Sequence, residues 1–230
     1  MDSFLDSNVL IGYIFCLDNS FNISKEYIFK SNNNYYSNNV KTEVNNVFNR
    51  KNFEYSNFLE KLNSRLYEFD DSYFMSCENF HKYINTMNDI GKFKHQDMHL
   101  AFEKIWNLFD FGENQEIMIL KLKFDNFINE FYGFNLKRKV DLFHQLILIP
   151  NHVHKDKTIL DIIEKENLRD GLLHGSDEEI LFDANEFAKN NSDLNLKFVT
   201  ADQRLFEAIT ILKEYLSFGD CINLMEFSSN

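Results

Sequence analysis

Two stretches of the chain place an aspartate just after a short apolar strand. One is Ser3-Phe4-Leu5-Asp6-Ser7-Asn8-Val9-Leu10-Ile11-Gly12; the other is Lys197-Phe198-Val199-Thr200-Ala201-Asp202. Each aspartate is followed by a run with helical apolar spacing. Two such strands imply a parallel α/β sheet with an acidic site at one rim. Open sheets of this kind bind ligands beyond the carboxyl ends of their strands, where the strand order reverses. Two further acids have matching settings. Glu43 lies one position off the helical stripe Val40, Val44 and Val47, and Asp177 stands in the first turn of a helix that opens Ser176-Asp177-Glu178-Glu179. Mg²⁺ takes oxygen ligands in octahedral geometry, and one carboxylate seldom suffices, so its ligands must converge from separate elements. A pair of such ions stabilises the attacking and leaving oxygens of an in-line displacement at phosphorus. Asn8 and the Thr200 hydroxyl are candidates for orienting those carboxylates by hydrogen bonds.

Each acid also has a purely structural reading. Asp177 and Asp202 fall in first turns, where a carboxylate stabilises the helix dipole by about 0.3–1 kcal/mol. Asp6 fits a turn, and Glu43 alone fits a solvated helix face. The conjunction of the four carries the functional reading. Asp183 competes for the third position, but at six residues from Asp177 it faces another side of the helix. Asp177 is preferred as the acid at the helix start, nearest the strand ends.

Other chemistry-bearing residues are less informative. His95 and His99 share a helical face without the glutamate of a zinc-protease motif between them. His152 and His154 flank a loop, and His174 precedes Asp177 closely enough to touch a phosphate. Lys137-Arg138-Lys139, with Lys155 and Lys157, is the densest basic region and a source of phosphate contacts. No glycine-rich phosphate loop and no Cys/His zinc pattern is present.

The formal charge of −12 argues against non-specific coating of nucleic acid, which needs lysine and arginine. It is compatible with a nuclease, because clustered carboxylates add negative charge that bound ions neutralise. Cys16, Cys77 and Cys221 are dispersed and odd in number, which fits small core residues in a reducing, cytoplasmic compartment. The apolar run from Val9 to Leu17 is too short to span a bilayer, and Asp2 and Asp6 are wrong for the basic start of a signal peptide.

The elements that must hold the acids follow from periodicity. Strands are expected at 3–5, at Tyr35-Tyr36, at Leu146–Ile149, at 197–200 and at 221–227, with helices at 9–17, 40–50, 156–166, from 177 and after Asp202. An Asn-rich loop is expected between the first helix and Tyr35. Residues 53–144 read as helical nearly throughout. Their stripes are Phe58, Leu62 and Leu66; Phe80, Tyr83, Ile84 and Met87; Met98, Phe102, Ile105 and Phe109; and Ile117, Leu120, Phe124, Phe127 and Phe131. Gly91, Gly112 and Gly133 look like stops between them. Leu146–Ile149, a continuous apolar run ended by the single proline, suits a strand buried on both faces. Ser176 with Glu179 and Thr200 with Gln203 each form a capping-box pattern. With 25 Phe but only 7 Gly, the chain favours long helices around a parallel sheet with right-handed crossovers.

These residues resemble a known family. Phe4-Leu5-Asp6-Ser7-Asn8-Val9-Leu10-Ile11 is similar to the opening motif of the PIN-domain (VapC-like) nucleases. Val40-Lys41-Thr42-Glu43-Val44 matches the setting of their metal-site glutamate. Asp177-Glu178-Glu179-Ile180-Leu181, with Ala184, resembles their third acidic motif, and Phe198-Val199-Thr200-Ala201-Asp202 their fourth; Leu148-Ile149-Pro150 resembles the strand before the third. The resemblance covers roughly 1–50 and 145–227. It implies a three-layer α/β/α PIN-like domain formed by 1–52 and 145–230, interrupted by a helical insertion over 53–144. By the same resemblance Asp6, Glu43, Asp177 and Asp202 bind Mg²⁺ or Mn²⁺, and the protein is an endoribonuclease that leaves a 5′-phosphate and a 3′-hydroxyl. Its expected partners are RNA, a protein partner or antitoxin, and a second copy in a dimer, with no membrane. The long insertion departs from small toxin-type members, and the alternative reading is a weakly active scaffold that binds a protein through it.

Overall fold

The computed structural model describes residues 2–84 and 95–227, with no account of the side chains of 95–98. In chain order the strands are β1 (Asp2–Leu5), β2 (Asn33–Ser37), β3 (Phe74–Ser76), β4 (Asn114–Glu116), β5 (Ile147–Ile149), β6 (Lys197–Thr200) and β7 (Asp220–Asn223). The helices are α1 (Ser7–Ile14), α2 (Phe21–Lys30), α3 (Asn38–Leu66), α4 (Cys77–Ile84), α5 (His95–Leu108), α6 (Ile117–Gln145), α7 (Lys157–Lys165), α8 (Asp177–Asn190) and α9 (Gln203–Leu212). The chain divides into two compact units. Unit 1 comprises 1–14, 20–48 and 140–230, and unit 2 comprises 15–19 and 49–139.

Unit 1 is α/β, with a central five-stranded sheet in the order β5-β2-β1-β6-β7. Every neighbouring pair in it is parallel, with Phe4 opposite Tyr35 on one side and Phe198 on the other. Ser3, Phe4 and Leu5 of β1 are all buried, as are Phe198, Val199 and Thr200 of β6. Consecutive residues of a strand point to opposite faces, so burial of all of them requires cover on both faces, and helices provide it. The chain builds outward from β1 through β2 to β5, then returns to β6 on the other side of β1. The strand order therefore reverses between β1 and β6. Toward the end of α1, Gly12 lets that helix approach α2, because a Cβ there would overlap the hydroxyls of Ser20 and Ser24.

Unit 2 is mainly helical, and its core is aromatic. Phe58, Leu62 and Leu66 on α3 are buried, with Phe80, Phe102, Phe124 and Phe131 from α4, α5 and α6. Phe80 stacks on Phe102 at 4.0 Å between ring centroids. Met87 and Gly91 lie outside the described residues, as do the side chains of His95 and Met98.

Several expectations are corrected here. The loop expected before Tyr35 contains helix α2, which buries only Ser24, Tyr27 and Ile28. A serine in the buried stripe broke the apolar period that would have marked it. The expected stretch 53–144 is not wholly helical, since β3 and β4 pair as a short antiparallel ribbon. Gly133 lies inside α6 instead of ending a helix. The roughly 1 kcal/mol that glycine costs there is outweighed by the burial of Phe127 and Phe131 on the same helix. β5 is an edge strand, and Ile147 and Leu148 are 44% and 46% exposed, so the continuous apolar run does not mean burial on both faces. The helix expected at 40–50 continues to Leu66, and the last strand ends at Asn223 in a 3-10 turn. Cys16, Cys77 and Cys221 are free thiols, partly exposed instead of buried in the core. No helix among the described residues is long and apolar enough to cross a membrane.

Candidate functional site

The junction of β1 and α1 positions Asp6. Its backbone N–H donates to the Val199 carbonyl of β6 at 3.0 Å, extending the parallel ladder by one residue. Its own carbonyl accepts the first helical amides of α1, from Val9 and Leu10. Asp6 is thus the last strand residue and the first helical acceptor at once, and its side chain is 1% exposed. One carboxylate oxygen accepts from the Ser7 amide at 2.7 Å. The other accepts from the Thr200 hydroxyl at 2.8 Å and from Asn8 Nδ2 at 3.3 Å. Burial pushes the Asp6 carboxyl up to about 7. The Thr200 and Ser7 bonds oppose that rise, and repulsion from Glu43 and Asp177 adds to it.

Glu43 reaches the same region from α3, half-buried. Its Oε2 accepts from the Ser176 hydroxyl at 2.6 Å, a contact across 133 residues of sequence. Asp177 is the first residue of α8 and accepts from the His174 amide at 2.6 Å. Burial raises its carboxyl to about 6, helped by Glu43 and Asp202 and opposed by the His174 amide and ring. Asp202 caps α9, with Oδ1 accepting from the amides of Arg204 and Leu205 at 2.8 and 3.4 Å. Its Oδ2 faces Arg204 Nη2 at 3.3 Å.

Both expected capping boxes are corrected by these contacts. Ser176 adopts helical dihedrals and makes no cap bond; its hydroxyl holds Glu43. Thr200 does not cap α9 either. It donates to Asp6 and accepts from the Asp202 amide at 3.0 Å. A hydroxyl cannot be assigned from a local pattern when a buried carboxylate from another element offers the stronger, charge-assisted bond.

Asp183 is fully buried but differently engaged. It accepts from Asn39 Nδ2 at 2.9 Å, and from the His152 amide and ring at 2.8 and 2.7 Å. His152 also faces Glu179 at 3.2 Å, and Lys155 pairs with Glu178 and Glu179. Asp183 therefore ties the segment after β5 to α8 and to the start of α3. Nothing in the local sequence pairs His152 with Asp183, since the contact spans 31 residues.

Asp6, Glu43 and Asp177 are thus joined by mutual repulsion, and Asp202 joins through Asp177. Among the described residues, Asp6, Glu43 and Asp177 form no ion pair with lysine or arginine. Also among the described residues, no three His, Cys, Asp or Glu side chains form a ready-made cage for an ion. The donor set nonetheless has the chemistry of a hard-cation site: carboxylate oxygens from four elements, two held at raised pKa, with no described lysine or arginine paired to Asp6, Glu43 or Asp177. Comparison with protein-family models, curated proteins and solved structures returns no match to this chain.

Proposed function

We propose that this group of acids is the active site of a PIN-like, metal-dependent endoribonuclease. The observation that carries the reading is a buried carboxylate at the strand-order reversal, repelled by two further acids and paired, among the described residues, with no lysine or arginine. A structural ion pair would have supplied the missing cation from the chain itself. Asp6, Glu43, Asp177 and Asp202 are the residues that would hold Mg²⁺ or Mn²⁺. Such an ion, when bound, neutralises phosphate charge and lowers the pKa of a water ligand.

The chain's own contribution is orientation and charge. Thr200 and Asn8 fix the Asp6 carboxylate, Ser176 fixes Glu43, and the His174 amide fixes Asp177. Asp6, raised to about 7, keeps its proton in part at neutral pH, and Asp177, at about 6, does so below it, so metal loading releases protons and strengthens as pH rises. Single-stranded RNA is the proposed substrate, on the resemblance of the four motifs. Cleavage of a labelled single-stranded RNA with Mn²⁺ tests the reading, together with thermal melting in the presence and absence of Mn²⁺. Mn²⁺ should raise the melting temperature of wild type and not of Asp6→Asn, and the variant should not cleave. Absence of both effects in wild type would remove the nuclease proposal.

One observation favours a second reading. Asp202 is already engaged as a helix cap and by Arg204, so the fourth ligand is partly spent. On that reading the domain is a weakly active scaffold whose helical unit binds a protein. Melting stabilised by Mn²⁺ with no RNA cleavage would select it.

A further inference from the structure

The large exposed apolar side chains of unit 2 include a cluster around the first turns of α6. Tyr67, Tyr73, Phe74, Met118 and Leu122 are each 55–61% exposed. Their proximity is fixed by bonds beneath them. The Ile117 amide donates to the Tyr73 carbonyl at 2.9 Å, and the Met118 amide to that of Asp71 at 3.3 Å. Phe74 pairs in the ribbon with Glu116, the residue before α6. The Tyr67 hydroxyl donates to Asp125 at 2.7 Å, and Lys121 lies 4.9 Å from the Tyr67 ring centre. Met118 and Leu122, four apart, form one ridge of α6. With more than half of five large side chains in solvent, the patch approaches roughly 500 Å², near the upper range for the largest apolar patch of a monomer.

The rim is acidic. Glu68, Asp70, Asp71, Glu116 and Asp125 neighbour the patch residues in sequence, across the ribbon or by hydrogen bond, against Arg65 and Lys121. Asp70 and Asp125 are held by neutral donors: Ser72 for the first, Asn63 and Tyr67 for the second. Among the described residues neither these two nor Glu116 is in an ion pair, so the rim keeps a net negative charge.

We infer that this face docks an amphipathic helix of a protein partner, apolar along one side and flanked by lysine or arginine. A helical ridge beside aromatic rings accepts another helix's apolar stripe. The acidic rim selects basic flanks and rejects acidic ones. The inference stands apart from the nuclease reading, since none of these residues is among the four acids or their partners.

The probe is a fluorescent amphipathic helix of leucine and lysine, about 20 residues long, with a leucine and glutamate counterpart of the same apolar face. Both are titrated against the full chain by anisotropy. The Leu/Lys helix should bind wild type, weaken with added salt, and bind Met118→Asp and Leu122→Asp at least about tenfold less tightly. Both positions are exposed, so thermal melting should be unchanged; if either variant fails to fold, Tyr73→Ser takes its place. Four outcomes overturn the proposal: no binding, equal binding of the Leu/Glu helix, unchanged binding by the variants, or a wild-type dimer that Leu122→Asp converts to monomer. The last would make a second copy the occupant.

Discussion

Replacing Asp6 by asparagine should stabilise the metal-free protein above neutral pH. A buried aspartate whose carboxyl is raised from the ordinary 3.8 to about 7 binds its proton more tightly in the folded chain than in the unfolded one. Its contribution to stability is therefore complete below pH 4 and is lost as pH rises through 7. The rise corresponds to about 4 kcal/mol, an order-of-magnitude figure that is large beside an ordinary domain's 5–15 kcal/mol. Asparagine keeps one acceptor, for the Ser7 amide, and puts an NH2 where the other oxygen faced Thr200, whose hydroxyl can turn to accept from it; it cannot ionise, and it relieves Asp177 of one repulsive neighbour. In urea denaturation with chelator, wild type should lose about 4 kcal/mol more than Asp6→Asn between pH 4 and pH 8, the variant keeping only the loss that Asp177 contributes. The two stability curves should separate progressively above pH 5. Added Mn²⁺ should narrow the gap by stabilising wild type alone, by about 2.7 kcal/mol at a hundredfold excess over Kd. Equal pH slopes for the two proteins, or an asparagine variant less stable at pH 8, would refute the argument that burial and repulsion leave Asp6 in need of a cation.

Three further outcomes follow from the same contacts. Thr200→Val removes a donor that lowers the Asp6 pKa and leaves the Asp202 amide unpaired; it should cost about 1–3 kcal/mol in urea denaturation and move the pH-dependent loss to higher pH. Ser176→Ala frees Glu43 with little change in melting temperature, because Ser176 caps nothing, and should reduce RNA cleavage at least about tenfold through lost positioning. Asp183→Ala removes the buried carboxylate that holds the half-buried His152 and Asn39, so it should destabilise by about 3 kcal/mol while preserving Mn²⁺ stabilisation; Asp177→Asn should do the reverse. If instead Asp183→Asn abolishes the Mn²⁺ effect and Asp177→Asn does not, the third acid has been misassigned.

The sequence by itself determined the alternating strand and helix order around Asp6 and Asp202. A strand ending in an acid that opens a helix is a local pattern, written in neighbouring residues. The stripes of unit 2 were legible for the same reason, and Phe58, Leu62, Phe102 and Phe124 are buried as their spacing requires. Only the tertiary structure decided what depends on distant approach. Helix α2 is held by packing against α1, where Gly12 meets two serines, and its own apolar signal is too thin to announce it. The apolar run of β5 reads the same whether the strand is central or at the edge, and the sheet order alone puts it at the edge. Ser176 and Thr200 carry sequence patterns of helix caps, yet each turned to a carboxylate 133 or 194 residues away. A buried carboxylate outbids a helix end for a hydroxyl because its charge cannot reach water, and no local window contains that competition.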